Sequence, residues 1–302
     1  MNPIVLQKTY VQKVALADWA KHNISVDVLR LDVIHPIISG NKWFKLKFYL
    51  QEALDQNKKT IITFGGAYSN HIVATAAGAQ AFGLNSIGII RGEKPTDYSP
   101  TLLQAQEFGM QLLFQDRITY RTKLLPKSLA ESHQLKESYL INEGGYGLQG
   151  MAGAETILQE CATAQYTHVL GAAGTGTMLA GLIAGTQVSQ ECIGISVLKN
   201  NFSIKDEIKA LLPLPKDFII LHEYHFGGYA KKNNELFQFM NKWYVQTEIP
   251  TDFVYTGKVF FALNDLIIKN YFAPNSKLLV VHSGGLQGNR SLPKGTLIFP
   301  SN

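Results

Sequence analysis

Short runs of apolar and β-branched residues recur along the chain, separated by stretches whose apolar residues repeat at helical spacing. The runs are TIITFGG (60–66), NSIGIIRG (85–92), MQLLFQD (110–116), SYLINEGG (138–145), THVLGAAG (167–174), CIGISVL (192–198), DFIILHEY (217–224) and KLLVVHSGG (277–285). NELFQFMNKWYVQ (234–246) and GKVFFALNDLIIKNYF (257–272) carry the helical period, and ISGNKWFKLKFYL (38–50) predicts an amphipathic helix that opens directly after Gly-Asn-Lys. This alternation predicts an α/β protein with mostly parallel sheets. The Gly-rich tails fall at strand ends, where parallel sheets place their sites. Four runs lie before residue 146 and four after Tyr166, so two α/β layers meeting at a cleft fit the pattern, with the glycine-rich stretch 144–150 as a hinge.

The length, 302 residues, exceeds what one compact core usually organises and favours two domains. Hydrophobic residues at 46% and charged residues at 17% suit a soluble globular chain with a sizeable core. The net charge of +5 is scattered in ones and twos, which supplies no basic face for a nucleic acid. Two cysteines, Cys161 and Cys192, without CxxC spacing point away from a zinc site or a disulfide scaffold and fit a reducing cytoplasm. No basic head precedes a long apolar run, and no segment has the roughly 18 apolar residues of a membrane span. The expectation is a cytoplasmic protein with no targeting segment, no membrane association and no metal.

Four polar strand ends carry the candidate chemistry. GAAGTGTMLAG (171–181) follows a strand and opens a small-residue helix; its backbone amides, Thr175 and Thr177 suit an anion such as phosphate. It is neither a Walker A loop, lacking the lysine, nor a dinucleotide fingerprint, because Leu179 stands where the last glycine belongs. A tight strand-to-helix turn explains the same residues equally well. In GGAYSNH (65–71), Ser69 and Asn70 either only cap a helix or make its N-terminus a carboxylate receptor, and His71 reads as helix surface or core. DFVYTGK (252–258) and VVHSGG (280–285) are the other two.

In this order, SGNKWFKLKFYL, GGAYSNH, AGTGTMLAGL, VYTGK and HSGG resemble the D-cysteine desulfhydrase and 1-aminocyclopropane-1-carboxylate (ACC) deaminase family of pyridoxal-phosphate (PLP) enzymes, of the tryptophan synthase β-subunit-like fold (fold type II). The resemblance implies two open twisted α/β domains, a smaller one over 47–146 and a larger, cofactor-binding one over 1–46 and 147–302, with PLP in the cleft. It implies that Lys42 forms the Schiff base, a role that suits a desolvated amine beside the cofactor carbonyl. Lys45 and Lys47 are rivals, expected to be solvated or structural. Asn70 is expected on the cofactor's ring hydroxyl, and Ser69 on the substrate carboxylate or in proton transfer. Gly174, Thr175, Gly176 and Thr177 are expected on the phosphate, with a side chain at Gly176 obstructing it. Tyr229 and Tyr255 match two active-site tyrosines, and Ser283 the position near the pyridine nitrogen. Tyr68, His71 and Thr256 join the expected substrate contacts. A homodimer is implied as well. The sequence departs from the family's N-K-x-R-K-L-E at Phe44 and Lys47, and from its usual Gln at Tyr68, beside the expected substrate pocket.

ACC deaminases carry Glu after the site tyrosine and Leu after the strand-end His, whereas Thr256 and Ser283 stand here. A carboxylate beside the pyridine nitrogen keeps it protonated and deepens the electron sink; hydroxyls leave it closer to neutral. Elimination of a good leaving group needs less of that sink than opening a cyclopropane. The expectation is therefore α,β-elimination from a small amino acid such as D-cysteine to pyruvate, ammonia and sulfide. ACC deamination to 2-oxobutyrate is the alternative within the family, and a nucleotide- or anion-binding α/β protein without PLP the alternative outside it.

Overall fold

The computed structural model describes residues 3–300. Along the chain run β1 (Val11–Val14), β2 (Ser25–Arg30), α1 (Asn41–Asp55), β3 (Thr60–Gly66), α2 (Asn70–Ala81), β4 (Asn85–Arg91), α3 (Pro100–Glu107), β5 (Met110–Gln115), the short α4 (Arg117–Arg121) and α5 (Lys127–Ala130), and β6 (Ser138–Ile141). Then follow α6 (Leu148–Glu155), β7 (His168–Ala173), α7 (Thr177–Gly185), β8 (Glu191–Ser196), α8 (Ile204–Lys209), β9 (Ile219–Leu221), α9 (Asn234–Thr247), α10 (Thr256–Ile268) and β10 (Lys277–His282).

Two sheets result: β5-β4-β3-β6, all parallel, and β1-β2-β10-β7-β8-β9, parallel except for β1 against β2. All eight predicted runs form strands, although DFIILHEY contributes only the three residues of β9. Central strands such as β3 and β8 are buried along nearly their whole length, which is why their sequences are continuously apolar. β1 and β2 lie outside the predicted runs. In β2, Asp27 and Arg30 break the apolar pattern, and the fold accommodates both: Asp27 accepts from the Tyr166 hydroxyl at 2.8 Å, and buried Arg30 is ion-paired with buried Asp32 at 2.6 Å.

Between the sheets, α1, α6 and α7 pack backbone to backbone. A Cβ on Gly153 would stand 1.9 Å from the Phe44 carbonyl oxygen, and one on Gly181 would stand 2.5 Å from the Glu155 nitrogen. This spacing places the start of α1 next to the C-terminal ends of β3, β4, β7 and β10, where the loops of both sheets open on one cavity. No helix among the described residues is long and apolar enough to cross a membrane.

Because nothing can yield at the Gly153 contact except backbone, Gly153→Ala is expected to destabilise the protein by about 1–3 kcal/mol. A thermal melt of the variant against the parent checks this, and an unchanged midpoint would contradict the close helix approach.

Candidate active site

Lys42 reaches the cavity because α1 starts against a strand end distant in sequence. Gly40 adopts φ 59°, and a Cβ on it would fall 2.0 Å from the Ser283 carbonyl oxygen. The Asn41 amide donates to that same oxygen at 3.1 Å. Lys42 then projects into the cavity, its Nζ donating to Asn41 Oδ1 at 3.0 Å and standing 6.0 Å from the centroid of the Tyr255 ring. Burial pushes its pKa down to about 8, partly opposed by Asp252. Near neutral pH a useful fraction of this amine is uncharged and nucleophilic.

Lys45 is not solvated. It lies one helical turn on, on the same face as Lys42, buried and donating to the Gly144 carbonyl at 3.2 Å. Burial, and then Lys42, hold its pKa well below the ordinary lysine value. The i, i+3 spacing of the two lysines was the sequence signal for it. Lys47 is structural as expected: it donates to Thr156 Oγ1 and packs over Phe44 and Phe48.

At the end of β3, Ser69 precedes α2 but its side chain makes no capping bond, so its hydroxyl is free toward the cavity. Tyr68, more than half exposed, stands at the mouth. Asn70 donates to the Gly285 carbonyl at 3.4 Å, while its buried Oδ1 has no partner. His71 is buried on the cavity wall, with Nε2 2.8 Å from Thr63 Oγ1. The Thr63 hydroxyl donates to the Ile141 carbonyl, so Nε2 of His71 carries the hydrogen and its unpartnered Nδ1 is an acceptor. Burial, and then Lys42 and Lys45, keep this imidazole neutral.

Beyond β7, Gly174, Thr175 and Gly176 line the cavity. Gly176 has φ 77°, but its absent side chain points at Ile208, 2.7 Å from where a Cβ would lie. Glycine is therefore required there by the left-handed turn and by α8, and not, as expected, to keep a side chain off the anion site. Thr177 is fully buried, its hydroxyl 3.2 Å from that of Thr175, so what it offers the cavity is its position at the start of α7.

Tyr255 and Tyr229 both line the cavity and meet edge to face, ring centroids 6.1 Å apart at 70°. Burial raises both pKa values, that of Tyr255 well above the ordinary tyrosine value, with Tyr229 adding to the rise. Both hydroxyls are therefore neutral near pH 7. The expectation for Thr256 is corrected. It is buried behind the wall, its hydroxyl donating to Asp252 Oδ1 at 2.7 Å and accepting from the Asp252 amide at 2.7 Å. Fully buried Asp252, which sequence reasoning passed over, also accepts the amides of Val254, Tyr255 and Thr256 at 2.8 to 2.9 Å. This carboxylate shapes the turn that carries Tyr255. Ser283 does lie on the wall.

The cavity holds about 700 Å³, within the range of small-molecule sites. Among the described residues, Lys42, Lys45, Arg91 and Lys232 line it against one acidic side chain, Glu143, which is ion-paired with Lys123. An amine poised for a carbonyl, an excess of positive charge, a left-handed turn opening a helix and an orphaned amide oxygen together suit a phosphorylated carbonyl cofactor with an anionic substrate beside it. The chain belongs to the pyridoxal-phosphate dependent enzymes, whose family model matches residues 20–284. It is 29% identical over 268 residues to a putative 1-aminocyclopropane-1-carboxylate deaminase of Pyrococcus horikoshii, covering 83% of this chain and 81% of that one. It is 28% identical to a D-cysteine desulfhydrase of Klebsiella pneumoniae, covering 85% and 86%. A crystal structure of an ACC deaminase homologue superposes with a TM-score of 0.81 at 25% identity, covering 94% of this chain and 91% of that one. Fold type II and PLP as cofactor agree with the sequence reading.

The residues of the cavity fit PLP: Lys42 would meet its carbonyl, Asn70 Oδ1 a ring hydroxyl, and residues 174–177 with Lys45 its phosphate. Because Thr256 is locked to Asp252, Thr256→Glu is expected to set two carboxylates together in a dry site and to cost several kcal/mol of stability, about 3–5. Thr256→Val, which only strands buried polar groups, is expected to cost about 1–3 kcal/mol. Denaturant melts of the two variants check the order.

Proposed function

We propose that this protein is a PLP-dependent lyase that carries out α,β-elimination on a small amino acid such as D-cysteine, in which D-cysteine and water give pyruvate, ammonia and hydrogen sulfide. PLP, when bound, supplies an electron sink for negative charge at the amino acid's Cα. Lys42 Nζ, neutral in part near pH 7, would hold the cofactor at its carbonyl and, when free of it, is placed to take the Cα proton. The α2 N-terminus with Ser69 and Asn70 binds the substrate carboxylate. Lys45, in reach of Gly144 and so of the Thr175 turn, adds charge for the phosphate. Tyr255 and Tyr229 hold the proton that the leaving sulfur needs.

The observation that carries elimination over ring opening is the fate of the nearby carboxylates. Asp252 is saturated by its own backbone amides and Thr256, and Glu143 is ion-paired with Lys123, which leaves the Ser283 hydroxyl at the position near the pyridine nitrogen. Of the two hydroxyls only that of Ser283 remains, since Thr256 is spent on Asp252. ACC deamination to 2-oxobutyrate and ammonia stands as the second reading, favoured by the ACC deaminase names of relatives at 28–29% identity. The homodimer, which the resemblance implies, and the cytoplasmic location, which the two free cysteines fit, belong to the same proposal.

Two measurements test it. Borohydride treatment of the holoenzyme is expected to fix the cofactor on the peptide containing Lys42, to do so in Lys45→Ala, and to fail in Lys42→Ala. Uptake of PLP by the stripped protein is expected to quicken as pH rises through about 8, where Lys42 loses its proton. A tag on Lys45 in the parent protein would displace Lys42 from its role. In a substrate panel, kcat/KM for pyruvate release from D-cysteine or β-chloro-D-alanine is expected to exceed that for 2-oxobutyrate release from ACC by about tenfold or more. A protein that prefers ACC would sink the elimination reading and leave the family intact.

A further inference from the structure

Helix α10 begins beside the cavity with a buried charge on either side of its first turn: Asp252 just ahead of it and Lys258 within it. Asp252 accounts for the backbone around Tyr255. Lys258 is fully buried, and its Nζ donates to the carbonyls of His225 at 2.9 Å and Gly228 at 2.8 Å. Its helix neighbours Val259 and Phe260 are apolar core residues, the type that would ordinarily fill such a position. Burial pushes the Lys258 pKa down to about 8, with Asp252 opposing, so a charge is kept there against a desolvation cost.

The two carbonyls belong to a turn of unusual backbone. Phe226 has φ 52°, Gly227 93°, Gly228 120° and Ala230 54°. Left-handed conformations at Phe226 and Ala230 are unfavourable by themselves and need an outside restraint. The turn's own bonds are few: Gly228 donates to the His225 carbonyl at 3.0 Å, Lys231 to the Gly228 carbonyl at 3.1 Å, and Gly227 to His225 Nδ1 at 2.8 Å. Lys258 joins both of the carbonyls used there. In the middle of this turn stands Tyr229, half exposed, with its ring edge-on to Tyr255.

We propose that Lys258 is the positioning residue for Tyr229, clamping the 226–230 turn by two carbonyls so that the tyrosine is held against Tyr255 at the cavity. Asp252 then orients one tyrosine of the pair and Lys258 the other, from opposite sides of one helix start. The consequence for turnover rests on the reading of Tyr229 as a proton carrier; the clamp does not.

The test uses the holoenzyme and Lys258→Met, of similar length and without donors. Amide hydrogen exchange across residues 226–230 is expected to quicken by about tenfold or more while the β-sheet cores keep their protection. The kcat for pyruvate release is expected to fall by about tenfold, with KM and bound PLP within about twofold of the parent. In a Tyr229→Phe background the same change is expected to lower kcat by no more than about twofold further, because its effect passes through the missing hydroxyl. Unchanged exchange at 226–230, or a full multiplicative loss in the Tyr229→Phe background, would overturn the proposal. If Tyr229→Phe alone keeps the parent kcat, the proton-carrier reading fails and the exchange measurement still decides the clamp. Should Lys258→Met not fold, Lys258→Gln, whose amide nitrogen is one bond closer to the backbone and cannot serve both carbonyls, is expected to lose protection at 226–230 alone, and unchanged exchange there would likewise refute the clamp.

Discussion

The cavity depends on one contact between backbones, Gly40 against Ser283 and Gly284, where a single methyl group would not fit. The contact joins the start of α1 to the end of β10, and it fixes where Lys42 emerges. The same turn, through the Gly285 carbonyl, meets Asn70 at the start of α2. One strand-end turn thus gathers the amine and the helix N-terminus. Any residue larger than glycine at position 40 would separate them, and the left-handed φ there excludes most alternatives on conformational grounds alone.

Around this joint the protein keeps several charges out of water, and they divide by what satisfies them. Arg30 and Asp32 neutralise each other in the large sheet, with His282 3.3 Å from the carboxylate and its Nε2 donating to the Pro250 carbonyl at 2.7 Å. Asp252 is satisfied by backbone amides, and Lys258 by backbone carbonyls. Lys42 and Lys45 have no carboxylate partner in the described structure, only an amide oxygen and a carbonyl. Asp252 and Lys258 hold backbone in place, while Lys42 and Lys45, without a counter-charge, face the cavity. Such incomplete pairing is what an anionic ligand can exploit.

Much of the architecture was legible because parallel strands buried on both faces leave unbroken apolar runs, and all eight of those runs became strands. β2 escaped notice because its charged side chains are satisfied by residues outside it: Asp27 by a hydrogen bond from Tyr166 and Arg30 by an ion pair with Asp32. At the cavity, the family resemblance was enough to pick out Lys42, Ser69, Asn70, Tyr229, Tyr255, Ser283 and the turn 174–176, all of which line it. Asp252 and Lys258 were not legible, and Lys45 only through its spacing from Lys42, since whether a charged side chain meets water is decided by what packs over it.

By itself the sequence determined the alternation of strands and helices, the Gly-rich strand ends and the order of motifs, all of which follow from local periodicity and from residue types with few conformational alternatives. Only the tertiary structure decided which polar groups remain available for chemistry. Thr256 and Ser283 look equivalent as written, yet the first has its hydroxyl bound at both ends to Asp252 and the second opens on the cavity. Hydrogen-bond capacity is finite, and how it is divided depends on neighbours that folding brings together.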